Sequence, residues 1–84
     1  MTPIDLARNL AASAELKDQA LGVAIVTRGL TDDTEDRQGW PLDWLTVERA
    51  AEHIGLTPTP ELVQLALGMA PNVSDAMLNK GAAR

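Results

Sequence analysis

Eighty-four residues with 45% apolar content make one domain around one core, since a chain this short buries only roughly 60–65% of its unfolded surface and has no material for a second. The absence of cysteine excludes a disulfide frame and a thiolate metal site. A net charge of −5, from 12 Asp and Glu against 7 Lys and Arg, argues against a nonspecific nucleic-acid binder, whose affinity comes from cations that neutralise phosphates.

The apolar residues are Ala, Leu, Val and Ile, with no Phe or Tyr and only Trp40 and Trp44 as large aromatic pieces. Helix formers dominate, and β-branched runs are confined to residues 23–27. The expected fold is therefore all-α: one domain over residues 1–84, a small bundle of four or five helices, with a frayed tail at 81–84.

Thr2, Pro3 and Asp5 form a helix start, with a hydroxyl cap, proline at the first helical position and a carboxylate in the first turn. Leu6, Leu10 and Ala14 make one stripe, and Leu16, Ala20, Val23 and Thr27 a second that does not join it. Residues 4–28 are thus either one helix that changes its buried face or two helices with a break at 12–15, where Ser13 can cap the second. From Leu16 to Val26 every position except Lys17, Asp18 and Gln19 is apolar or Gly22, which marks the most buried helix. Arg28, Gly29 and Leu30 then fit a cation in the last turn, a left-handed glycine and the hydrophobic contact of a Schellman stop.

Residues 31–39, TDDTEDRQG, set four carboxylates against Arg37. The alternation of Asp32, Thr34 and Asp36 fails as a calcium loop, because Arg37 stands where the turn needs glycine and Asp43 where a bidentate Glu is required. A solvated loop fits better. Next, Pro41 suits a first helical position and Thr46 an N-cap, so a helix begins at one or the other, with Trp44, Val47, Ala51 and Ile54 on one face, and stops at Gly55. Thr59, Pro60 and Glu61 start another helix before Leu62, Val63, Leu65, Ala66 and Leu67, and Pro71 ends it by Ala70. Asn72 is placed to cap a last short helix with Val73, Met77 and Leu78 facing inward.

The stretch LTVERAAEHIGLTP resembles the start of a helix-turn-helix of the excisionase and MerR-like kind. Thr46 matches the first-helix start, Ala51 the small residue at the helix contact, Gly55 the turn and Leu56 the buried turn residue. The resemblance spans residues 45–65 and implies a DNA-binding regulator whose second helix enters the major groove, with Thr57, Thr59 and Gln64 as its contacts. Two features depart from it. Glu61 stands at the sixth position from Gly55, where the family carries an apolar residue, and no Lys or Arg lies between Leu56 and Asn79 to meet phosphates.

No constellation for catalysis is present, so an enzyme is not expected, nor a cofactor. His53 has no second histidine or cysteine to share a metal and reads as a residue at a helix C-terminus. The six glycines are scattered and form no phosphate loop. The first residues lack the basic and apolar regions of a secretory signal, and the longest apolar run, 20–26, is far short of the roughly 20 residues that span a bilayer. A cytoplasmic protein without membrane contact is the expectation.

What remains is binding. Asp32, Asp33, Glu35 and Asp36 can imitate a run of phosphates, as in small inhibitors of nucleic-acid-handling proteins, phage-encoded ones among them. Tryptophan is enriched in binding hot spots. A core without Phe or Tyr calls for one of the two tryptophans, which assigns Trp44 to the interior and Trp40, beside the carboxylates, to the surface as an anchor. The expected function is a small acidic protein-binding module, an adaptor or an inhibitor of a partner with a basic surface. Nucleic acid is the less favoured partner, and a homodimer is open.

Overall fold

The computed structural model describes residues 2–31 and 39–73. These form four α-helices, α1 (Pro3–Ala11), α2 (Leu16–Thr31), α3 (Trp44–His53) and α4 (Pro60–Met69), followed by a 3-10 turn at Ala70–Asn72. No strand occurs among the described residues, and the fold is a small all-α bundle. The final helix expected after Asn72, with Met77 and Leu78, lies outside the described residues.

Helix α1 starts as its sequence requires. The Thr2 hydroxyl accepts the Asp5 backbone N–H at 3.2 Å, and the Asp5 carboxylate accepts the Thr2 N–H at 3.2 Å, a reciprocal capping box. Residues 4–28 are two helices, not one, and Ser13 stands at the break. Its Oγ accepts the Glu15 N–H at 3.1 Å and donates to Asp18 Oδ2 at 2.9 Å, while its carbonyl accepts from Gln19 Nε2 at 2.8 Å.

Helix α2 is the axis of the bundle, with α1 on one side and α3, α4 and the 3-10 turn on the others. Ala20 and every residue from Gly22 to Thr27 are buried, so no face of its middle meets water. Its small residues permit this. A Cβ placed on Gly22 would come within 2.7 Å of the Ala7 carbonyl oxygen and 3.2 Å of Leu10 Cβ, so the backbones of α1 and α2 touch where Gly22 has no side chain. Thr27 is the one polar side chain in that stretch, and its hydroxyl donates to the Val23 carbonyl at 2.8 Å.

The stop at Gly29 does not occur. α2 continues to Thr31, Gly29 is helical, and the left-handed glycine of the described chain is Gly55, at φ 82°. The Schellman geometry belongs there: Leu56 N–H reaches the Ala51 carbonyl at 2.9 Å and Gly55 N–H the Glu52 carbonyl at 3.0 Å. α2 has reason to run on, because Leu30 packs against the core and its carbonyl accepts the Trp40 N–H at 2.8 Å. A tertiary partner thus replaces a local stop signal.

Helix α3 begins at neither Pro41 nor Thr46. Asp43 is its N-cap, with its carboxylate accepting the Thr46 N–H at 2.9 Å. Thr46, Val47, Ala50 and Ala51 form its buried face. Residues 54–59 lead to α4, where Thr59 caps by accepting the Leu62 N–H at 3.3 Å and Leu62, Val63 and Ala66 face inward. α4 ends at Met69, just ahead of Pro71. Glu61 is exposed: the later start of α4 turns Leu62 inward and leaves the carboxylate in water.

The core contains no aromatic residue. Ile25, Val23, Val47, Val63 and Thr27 are its largest fully buried side chains, and Ala7, Ala20, Ala24, Ala50, Ala51, Ala66 and Ala70 fill the spaces between them. Trp44, assigned to the interior because a core without Phe or Tyr calls for a large residue, is 43% exposed. It is the first residue of α3, and helical side chains lean toward the helix N-terminus. At that position no preceding helical turn lies beneath the indole, which leaves it in contact with water.

Candidate interaction surface

Three features converge at the junction of α2 and α3. The hydrogen bond from Trp40 N–H to the Leu30 carbonyl returns the chain to the end of α2 and fixes the backbone that carries the first indole. Pro41 follows, and Asp43 then turns the chain into α3. Over residues 40–45, Trp40, Leu42, Trp44 and Leu45 are exposed at 43%, 42%, 43% and 57%.

Trp40 borders a shallow concavity with Leu30, Arg49, Glu52 and His53. Arg49, Glu52 and His53 come from the solvent side of α3, opposite Val47, Ala50 and Ala51. They meet Trp40 because spacings of three and four put them on one stripe. The hollow thus has an aromatic wall, an aliphatic floor and charges of both signs. It suits a partner's side chain and offers no nucleophile paired with a base. His53 is exposed and ends α3, the helix-terminal position its sequence context implies.

Asp32, Asp33, Glu35 and Asp36 lie outside the described residues. The three residues assigned to DNA contact stand elsewhere: Thr57, Thr59 and Gln64 are exposed and none lines the concavity beside Trp40. Thr59 Oγ1 is engaged in capping α4, and its N–H donates to the Thr57 carbonyl at 2.9 Å. The outer face of α4 is made by Glu61, Gln64, Leu65 and Gly68 and carries no cation. Among the described residues no group of three or more His, Asp or Glu side chains could hold a metal ion. No described helix is long and apolar enough to cross a membrane.

Trp40 is exposed, as expected, and the carboxylates it was expected to stand beside lie outside the described residues. Leu42, Trp44 and Leu45 were not anticipated as surface residues. Leu45 could have been: it lies off the stripe of Val47, Ala51 and Ile54, and an exposed leucine next to two tryptophans is a local excess of apolar surface. No protein-family model, curated protein or solved structure matches the chain.

Proposed function

We propose that this protein is a small acidic protein-binding module, an adaptor or inhibitor that meets a partner with a basic surface through Trp40 and the carboxylates that precede it in sequence. The observation that carries this reading is the half-exposed Trp40 indole, on a backbone tied to the Leu30 carbonyl and bordering a concavity. A large rigid side chain on a fixed backbone loses little entropy when it docks. The carboxylates supply long-range attraction for a cationic partner, a contribution to association rate that salt weakens.

The DNA-binding reading has less support, because the solvent face of α4 offers Gln64 but no Lys or Arg for phosphates. The deciding experiment is affinity capture from the native host followed by mass spectrometry. Trp40→Ala, and separately Asp32→Asn with Asp33→Asn, should each lower partner yield several-fold while the helical circular-dichroism signal stays unchanged. Unchanged yields from both variants would remove the proposal. Specific duplex binding at low salt that is lost on Gln64→Ala would put the DNA-binding regulator in its place.

A further inference from the structure

The whole net charge of the chain is carried by one stretch. Residues 32–52 contain seven of the 12 carboxylates and two of the 7 Lys and Arg, so the rest of the sequence is balanced at five of each. The same stretch holds four of the six large hydrophobic residues exposed among those described, Trp40, Leu42, Trp44 and Leu45, whereas Leu16 and Leu65 stand singly on other helices. Scattered exposed leucines are ordinary on a soluble domain, but four large apolar side chains within six residues are not. Trp44 and Leu45 occupy the first two positions of α3, and the packing of the bundle leaves both exposed.

We infer that Trp40, Leu42, Trp44 and Leu45 form an apolar docking element, and that its occupant is a segment of another protein combining aliphatic side chains with lysine or arginine. This rests on the protein-binding reading above and adds to it three residues and the chemistry of the partner. Charge selects the occupant. A second copy of the chain would bring one negative stretch against another, and nucleic acid and anionic lipid surfaces are repelled for the same reason. A purely apolar partner would leave the charge unused. A cationic, aliphatic segment satisfies both: its apolar side chains cover Leu42 and Leu45, and its cations stack on the indole faces while Asp43, Glu48 and Glu52 supply counter-charge nearby.

The test uses the full chain and its own fluorescence. Trp40 and Trp44 are its only aromatic residues, so every change in emission comes from this element. An amphipathic peptide of leucine and lysine is titrated in, with three controls: a leucine and glutamate peptide of the same pattern, oligolysine of the same length, and dilution of the protein alone. The expected result is a saturable blue shift with the first peptide only. Leu42→Ser combined with Leu45→Ser, which alters no charge, should weaken it about tenfold. Equal binding of oligolysine, or an unaltered affinity in the double variant, would overturn the apolar element. A shift that follows protein concentration alone would replace the cationic partner with a second copy.

The same double variant, used in capture from the host, separates the two proposals. If it retains the partner that Trp40→Ala and the Asp32, Asp33 variant lose, the apolar element fails and the protein-binding reading stands. If all three capture normally, both fail.

Discussion

Between Ala20 and Thr27, α2 is enclosed by residues no larger than isoleucine, whereas between Trp40 and Leu45 four of the bulkiest apolar side chains of the chain face water. Size and depth run opposite to each other. Small residues let helices approach until their backbones touch, and then the number of close atom pairs, not the bulk of any one side chain, sets the packing energy. A core built this way has no site for an indole. Tryptophan left outside such a core has to be explained by what it meets, which is why the segment ahead of α3 is read as a surface for binding.

The contrast is tested most severely by removing one side chain from each region. Ile25 is 2% exposed and Leu45 57%. Ile25→Ala should cost about 2–5 kcal/mol, the transfer of the lost atoms plus the cavity they leave. That corresponds to a fall in Tm of about 4–8 °C for each kcal/mol in a domain of this size. Leu45→Ala should cost less than about 1 kcal/mol, although it removes as many carbon atoms. Similar losses in urea unfolding would mean that Leu45 is packed and that the proposed docking element belongs to the core.

The second test concerns two glycines of α2. Gly22→Ala places a methyl group 2.7 Å from the Ala7 carbonyl oxygen, so α1 must move away. The expected loss is about 1–3 kcal/mol, as for other overpacked sites. Gly29→Ala, in the same helix but with open space at the same atom, should instead stabilise by about 0.5–1 kcal/mol through helix propensity and a less flexible unfolded chain. Opposite signs in thermal unfolding would sharpen the picture of a core closed by missing side chains. Stabilisation by both alanines would break it.

How much of this was legible beforehand depended on whether the cause was local. The Thr2 cap, the start at Thr59 and the stop before Pro71 are each settled by hydrogen bonds or ring sterics within a few residues, and the sequence displays them, whereas the choice between one helix and two over residues 4–28 is decided only in the structure, where Ser13 bonds close the break. The stop expected at Gly29 had the right residues, yet α2 runs on because Leu30 finds the core and Trp40 finds the Leu30 carbonyl, contacts the local sequence does not contain. The start of α3 was expected at Pro41 or Thr46 and falls at Asp43, whose carboxylate accepts the Thr46 N–H. Within the candidate site, Trp40 was legible from its polar neighbours. Trp44 was not, because periodicity gives an angle around the helix and says nothing of whether anything packs against a residue at its first position.

The smallest effect is expected at Asp5, where order comes from polar bonds in water. The Thr2 backbone N–H, and then its hydroxyl, hold the Asp5 carboxyl below the usual carboxylate range. The folded state thus favours the ionised form. Its contribution is fully present above the unfolded pKa and is lost as pH falls through the lower folded value. The stability difference between the native chain and Asp5→Ala should therefore be constant well above the range in which an unperturbed Asp titrates, near about 4, and shrink as pH falls below it. If structural order resides in the small-residue core, this difference will stay well below the Ile25→Ala loss at every pH. A cap effect as large as the Ile25 effect would place the stability of the fold in its helix ends instead, and the division between a rigid interior and a surface free to bind would have to be drawn again.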